Sequence, residues 1–183
     1  MAVSKNVWGF IQSRDHRVMR RLNRWNAPRW VRFWMLAATR MGDGWLWYTL
    51  AIILLWLGGA NRYAAVAASA AAALAGVLVF KGLKRLSRRP RPCQIEAHCW
   101  AKILPPDQFS FPSGHTMTAF SIALIVSYFY PALEMPMYFL AFSIGVSRMV
   151  LGMHFLSDVL AGAILGSALG VGSLVTFAAY GFA

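Results

Sequence analysis

Three clusters of polar residues interrupt an otherwise apolar sequence, and their residue types are those that bind phosphate. The clusters are a basic run from Lys84 through Arg91, the tetrapeptide Pro112-Ser113-Gly114-His115, and a set formed by Arg148, His154 and Asp158. Arginine and lysine carry permanent positive charge, and the planar guanidinium group can bind two phosphate oxygens at once. The clusters therefore indicate a site for an anionic phosphate group.

The expected phosphate-binding residues come from all three clusters. Lys84, Arg91 and Arg148 supply three cations. Ser113 and Gly114 precede an apolar segment, so we expect a helix to begin there and to offer free backbone N–H groups to an anion. These five residues form the predicted binding set.

The remaining polar residues predict catalysis by histidine. His154 and Asp158 are four residues apart, a spacing that places both on one face of a helix. Asp158 could then hold one ring nitrogen of His154 and leave the other as a nucleophile, while His115 could protonate the departing oxygen. Together these groups fill every role in an in-line phosphoryl transfer through a phosphohistidine, with no metal and no other cofactor.

Each cluster also has a simpler interpretation. The basic run could anchor the chain at the membrane edge, Ser113 could cap a helix, and His154 and Asp158 could form a structural pair. Ionisable groups near a bilayer cost several kcal/mol unless they are paired or used. Their occurrence at fixed spacings in one apolar chain favours a site.

Composition predicts an integral membrane protein. The chain has 183 residues, of which 58% are hydrophobic and 13% are charged, and its mean hydropathy is +0.52. Soluble domains carry about 25% charged residues. A soluble fold of this size could not bury so much apolar surface, and two cysteines exclude a disulfide scaffold.

The net charge of +12 favours anionic partners. Because apolar spans make nucleic acid an unsuitable partner, we expect membrane lipids and a lipid phosphate substrate instead. The first thirty residues are basic and lack a continuous apolar stretch, so no signal peptide is expected.

Hydropathy predicts an all-α, polytopic transmembrane helical bundle. Five apolar segments cover residues 44–60, 63–83, 116–130, 136–150 and 155–180. Because the alternation typical of strands is absent, we expect helices. Gly162, Gly166 and Gly170 form a small-residue stripe that allows a neighbouring helix to approach closely.

Residues 1–42 are predicted to form basic amphipathic helices in the headgroup plane, separate from a transmembrane core at 43–183. In the second helix, Trp30, Trp34, Ala37 and Met41 share the expected apolar face. A soluble helical pair that caps the bundle is the alternative. Five crossings place seventeen of the eighteen basic residues on one side, whereas a sixth crossing at 30–41 would move the amino terminus to the other side.

The loop between the first two clusters contains Cys93, His98 and Cys99, whose spacing matches no familiar metal site. A disulfide between the cysteines would require an oxidising compartment. Apolar residues of the same loop, Trp100, Ile103, Leu104, Phe109 and Phe111, are expected to enter the membrane interface.

The three ordered motifs resemble the signature of the type-2 phosphatidic acid phosphatase superfamily. The resemblance extends from about Thr39, in a Thr-Arg-Met-Gly-Asp-Gly turn, to the last span. It implies a nucleophile at His154, its partner at Asp158 and a general acid at His115. It also implies a phosphate site formed by Lys84, Arg91, Ser113, Gly114 and Arg148. Membrane members commonly have six spans, and we expect this chain to lack the first, so the side of the site stays open.

We therefore expect a metal-independent lipid phosphatase in a bacterial inner membrane. The resemblance implies a lipid phosphomonoester or diphosphate of the undecaprenyl diphosphate, phosphatidic acid or phosphatidylglycerophosphate type, with a slight preference for isoprenyl diphosphates. The alternatives are a lipid phosphotransferase with the same site and a non-enzymatic headgroup-binding protein.

Overall fold

The computed structural model describes residues 2–96 and 107–180, with side chains from residue 9 onward. Within these residues the α-helices are α1 (Ala2–Arg24), α2 (Arg29–Met41), α3 (Trp45–Leu57), α4 (Arg62–Ser87), α5 (Pro92–Ile95), α6 (Gly114–Phe129), α7 (Glu134–Val150) and α8 (Leu156–Ala179). Short 3-10 turns precede α4 and α7. The described residues contain an isolated bridge between Pro90 and Phe109 but no β-strand. The all-helical prediction is confirmed.

Each of the five apolar segments is a helix, and two of the helices are long and apolar enough to cross a membrane. These two are Gly59–Ser87 and Leu156–Ala179, in each of which 22% of the most apolar window is buried. Helices α3 and α6 are shorter but also apolar. Most of this apolar surface therefore faces outward, as it would toward lipid.

Helix α4 extends further than the hydropathy pattern predicts. The apolar segment ends at residue 83, but the helix continues to Ser87 and carries Lys84 and Arg85 in its last turn. Cations in the last turn of a helix interact favourably with its carboxyl-terminal dipole. The extension places Lys84 at the end of a rigid helix.

Helices α6 and α8 pack closely through the predicted glycine stripe. A Cβ atom at Gly162 would lie 2.6 Å from the Ser113 carbonyl oxygen, and one at Gly166 would lie 2.2 Å from the Met117 carbonyl oxygen. Only glycine allows the two backbones to approach this far, which confirms the packing role predicted for the stripe. The contact fixes the start of α6 against the start of α8.

The amino-terminal residues form the two helices α1 and α2. In α2, Met35, Ala38 and Thr39 are buried, whereas Trp30 is exposed. Helix α2 packs on α7, where the indole nitrogen of Trp34 donates a hydrogen bond to Ser143. The face of α2 that carries Met35, Ala38 and Thr39 therefore holds the helix against the bundle.

Candidate active site

The three polar clusters meet at one end of the helical bundle. Lys84 lies in the last turn of α4, Arg91 directly before α5, and Arg148 in the last turn of α7. A cavity of about 630 Å³ is lined at its polar end by Lys84, Arg91, Gly114, His115, Arg148 and His154. Six of the eight residues predicted for the site therefore share one cavity wall.

The other two predicted residues, Ser113 and Asp158, are buried and do not line the cavity. Ser113 precedes the first residue of α6, as predicted. Its hydroxyl lies 2.8 Å from that of Thr116, and its backbone N–H donates to the Asp158 carbonyl oxygen over 3.1 Å. Ser113 thus ties the start of α6 to the start of α8.

The orientation of His154 follows from its contacts. Its Nε2 atom lies 3.3 Å from Nη1 of Arg91. Because a guanidinium group only donates, Nε2 accepts and the ring proton belongs on Nδ1. Burial, followed by the charges of Arg148, Arg91 and Lys84, lowers the pKa of His154 well below its usual value. The imidazole is therefore neutral, with the lone pair of Nε2 next to Arg91.

The predicted helical pairing of His154 with Asp158 is wrong in its geometry. His154 lies in the turn between α7 and α8, not on α8, and its Nδ1 is 3.7 Å from Asp158 Oδ2, beyond a hydrogen bond. The turn forms because Gly152 adopts a φ of +68° and the backbone N–H of His154 donates to the Arg148 carbonyl. The residues still face each other across this gap.

Two of the cations at the site, Lys84 and Arg91, form ion pairs with a carboxylate. Asp107 accepts hydrogen bonds from Lys84 Nζ over 2.5 Å and from Arg91 Nη2 over 2.8 Å. Burial alone would raise the pKa of Asp107, but the hydrogen bonds and charges of these two residues hold it below its usual value. Asp107 therefore carries negative charge where the predicted phosphate would bind.

Arg148 lines the cavity and is held by the end of α2. Its Nη1 donates a hydrogen bond to Thr39 Oγ1, while its Nε is buried and has no partner among the described residues. A buried unpaired donor is costly. Arg148 is therefore a candidate anion-binding group whose guanidinium α2 helps to hold in place.

The Thr-Arg-Met-Gly-Asp-Gly turn supplies a residue that the sequence interpretation missed. Asp43 Oδ1 lies 2.8 Å from Nε2 of His115. Gly42 permits this contact, because a Cβ atom there would lie 2.9 Å from the His115 ring. The turn therefore positions the predicted general acid.

The cavity continues from its polar end into an apolar cleft between α3, α4 and α6. Its apolar wall includes Trp47, Tyr48, Ala70, Ala73 and Leu74. A second cavity of about 160 Å³ shares Trp47, Tyr48, Ala70 and Ala73 and extends toward Leu54. The arrangement joins a polar, cationic end to an apolar cleft.

The described residues contain no group of three or more His, Cys, Asp or Glu side chains arranged to hold a metal ion. Cys93 is partly buried in α5. The hypotheses on His98, Cys99, Trp100, Ile103 and Leu104 fall outside the described residues.

A sequence model of the PAP2 superfamily matches residues 62–181, which include all three polar clusters. The chain belongs to the PAP2 superfamily. Its resemblance to this family, inferred from the motifs, is confirmed.

Two solved structures resemble this PAP2 protein over most of its length. Aquifex aeolicus LpxE superposes with a TM-score of 0.75 and 27% identity over 87% of this chain and 94% of that one. A transmembrane PAP2 type phosphatidylglycerolphosphate phosphatase from Bacillus subtilis gives a TM-score of 0.69 and 25% identity over 91% and 85%. Together with the apolar helices, these matches show the fold of an integral membrane protein.

Curated relatives match over shorter segments. Bacitracin transport permease protein BcrC from Bacillus licheniformis is 44% identical over 57 residues, or 31% of this PAP2 chain. Phosphatidylglycerophosphatase B from Bacillus subtilis is 34% identical over 100 residues, or 49% of the chain. The matched segments cover 28% and 46% of those two proteins, less than half of either.

Proposed function

We propose that this PAP2 protein is a membrane lipid phosphatase that acts through a phosphohistidine. The observation that carries the proposal is the shared cavity in which Arg91 lies 3.3 Å from Nε2 of His154, with Lys84, His115 and Arg148 on the same wall. Family membership supports the reaction class.

The reaction proceeds in two balanced steps. In the first, the Nε2 lone pair of His154 attacks phosphorus, the bond to the lipid oxygen breaks, and His115 gives that oxygen its proton. In the second, water attacks the phosphohistidine, His115 takes a proton from the water, and phosphate leaves as the N–P bond breaks. Lys84, Arg91 and Arg148 stabilise the negative charge on the phosphoryl oxygens in both steps.

Asp158 favours the first step through charge. When Nε2 forms its bond to phosphorus the imidazole becomes cationic, and its Nδ1–H faces Asp158 Oδ2 across 3.7 Å. Such apo distances often shorten in the reacting complex. The carboxylate thereby stabilises the imidazolium.

The apolar cleft supports a lipid as the substrate. The phosphate end of the cavity continues into the wall formed by Trp47, Ala70, Ala73 and Leu74. An alkyl or isoprenyl chain would lie there while its phosphate meets the cations. Relatives named for phosphatidylglycerophosphate support a phosphomonoester, and isoprenyl diphosphates such as undecaprenyl diphosphate stay within the proposed class.

We further propose five membrane crossings, formed by α3, α4, α6, α7 and α8, within a core at 43–183. Asp15 contacts Arg89, and Thr39 contacts Arg148, so both α1 and the end of α2 lie at the site's end of the bundle. Helix α2 carries three arginines, whereas α3, which has the same length, carries no charged residue. Because charged side chains inside a bilayer are costly, α3 suits a crossing and α2 does not. Residues 1–42 would then lie in the interface of a bacterial inner membrane.

The test is phosphate release by detergent-purified protein in the presence of EDTA. The substrate panel contains phosphatidylglycerophosphate, phosphatidic acid and undecaprenyl diphosphate in matched detergent. We expect turnover of at least one lipid, at least about 100-fold slower in His154→Ala because covalent catalysis is lost. Arg62→Gln, which changes a cation outside the site, is the matched control.

Three results would contradict the proposal. These are turnover that requires a divalent metal, a His154→Ala variant within tenfold of the wild type, or no release from any lipid phosphate. A phosphorylated acceptor in place of free phosphate would instead indicate the phosphotransferase.

A further inference from the structure

Helix α1 carries a carboxylate into the interior next to the active site. Asp15 is 2% exposed. It accepts hydrogen bonds from the Ser157 backbone N–H over 3.0 Å, from the Ser157 hydroxyl and from Arg89 Nη2 over 2.5 Å. A surface helix held only by apolar packing would need no such group, because burying a carboxylate is costly unless it is paired.

Arg89 connects this carboxylate to the one that faces the nucleophile. Its Nη1 donates to Asp158 Oδ1 over 2.6 Å and to the Ser157 hydroxyl over 2.7 Å, and its guanidinium lies 4.2 Å from the centre of the Phe155 ring. Arg89 belongs to the basic run but is not among the residues that line the cavity. Its charge is therefore directed at two buried carboxylates and not at substrate.

The charge balance of this cluster gives Asp15 an electrostatic effect on His154. Two carboxylates share one guanidinium, so Asp15, Arg89 and Asp158 together carry one net negative charge. Without Asp15, the full positive charge of Arg89 would offset Asp158, and less negative charge would face the imidazolium that forms at His154. Removal of the Asp15 charge leaves the other ionisable groups around His154 unchanged. These groups are Lys84, Arg91, Asp107, His115, Arg148 and, next to His115, Asp43.

We propose that Asp15 is a positioning residue of this phosphatase, which acts through Arg89 to keep the Asp158 carboxylate directed at His154 and its negative charge available to the imidazolium. Helix α1 thereby contributes a positioning residue to the active site, in addition to its proposed place in the membrane interface. This inference rests on the proposed function, since it assigns Asp158 to the nucleophile.

The test compares three charge states of the full-length protein. Asp15→Asn makes the cluster one unit more positive, Arg89→Gln makes it one unit more negative, and the double variant restores the wild-type balance. We measure kcat, KM and the pH profile of kcat/KM on the best lipid substrate, together with thermal unfolding. Arg20→Gln, which removes a cation on the exposed face of α1, is the matched control.

Asp15→Asn is expected to lower kcat by about tenfold to a hundredfold, with KM changed less than about threefold, and to move the acid limb of kcat/KM to lower pH. Arg89→Gln should move that limb to higher pH, and the double variant should return it toward the wild type. Asp15→Glu, which keeps the charge, should keep the wild-type limb even where kcat falls, and it serves if Asp15→Asn does not fold.

A purely structural role predicts something different. Unfolding temperatures would then fall while the acid limb stayed fixed in every variant, and that result would overturn the inference. A shifted acid limb of kcat/KM in Asp15→Glu would also overturn it, as would an unchanged kcat in Asp15→Asn. A wild-type protein that hydrolyses no lipid phosphate would instead contradict the proposed function, which distinguishes the two failures.

Discussion

The Nε2 atom of His115 lies 2.8 Å from a carboxylate oxygen of Asp43. The two residues are 72 positions apart in sequence, and the turn at residues 39–44 brings them together. This carboxylate accepts a hydrogen bond from the ring and holds the imidazole at the cavity wall. A general acid must be positioned to reach the leaving oxygen, so Asp43 supports the role proposed for His115.

We expect Asp43→Asn to impair turnover in proportion to how poorly the substrate's leaving group departs. An alkyl or lipid alcohol needs a proton, whereas a nitrophenolate leaves without one. The variant should lose about tenfold to a hundredfold in kcat on the lipid but less than about threefold on para-nitrophenyl phosphate. Steady-state kinetics on both substrates measure this, with His115→Ala as the reference for complete loss of the acid. Equal losses on both substrates would exclude Asp43 from proton donation.

The pH profile should report the neutral form of His154. Because burial and neighbouring cations lower the pKa of His154 from its ordinary 6.5, the nucleophile stays unprotonated as the pH falls through that value. The acid limb of kcat/KM, which describes the free enzyme, should therefore lie below pH 6.5. Substrates whose own phosphate pKa values differ provide the control. A limb that follows the substrate, or one above pH 6.5, would contradict the prediction.

The sequence allowed prediction of the helical bundle and of six residues that share the cavity, because apolar runs and ordered motifs are local patterns. It did not reveal Asp15, Asp43 or Asp107. Each of these makes its contact with an element distant in sequence, and no periodicity encodes such pairings. One signal was available: the chain has only six acidic residues, so each is a candidate partner for a functional cation or histidine.

The error over His154 and Asp158 has a similar origin. A spacing of four fits one face of a helix, but Gly152 turns the chain and α8 begins only at Leu156. The glycine stripe was predicted correctly as a site of close helix packing, and the structure confirms this at Gly166. The stripe could not indicate that the partner helix is α6, because a run of small residues carries no information about its partner.

Removing the carboxylate of Asp107 should strengthen the binding of phosphate-like anions. Asp107 holds Lys84 and Arg91 in the position an anion would take, and it is 39% exposed at its side chain. Since partly exposed ion pairs contribute up to about 1 kcal/mol, we expect Asp107→Asn to lower the inhibition constant of vanadate by about twofold to fivefold. Gln108→Asn, a change at the adjacent position, is the control. Weaker vanadate inhibition in Asp107→Asn would mean that Asp107 orients the cations and does not compete with the ligand.

The contact between α6 and α8 should be sensitive to a single methyl group. At Gly166 a Cβ atom would lie 2.2 Å from the Met117 carbonyl oxygen, so alanine there must push the helices apart. Overpacking of this kind costs about 1–3 kcal/mol. We expect Gly166→Ala to lower the free energy of unfolding by that amount and to reduce kcat, because separation of the helices also moves His115 relative to His154.

Gly172 lies on the same helix with nothing within 4 Å of its added Cβ, and Gly172→Ala should leave both quantities unchanged or slightly improve stability. Equilibrium unfolding in mixed detergent micelles, together with the lipid phosphatase assay, compares the two variants, and equal behaviour of both would show that the glycine stripe does not set the geometry of the site.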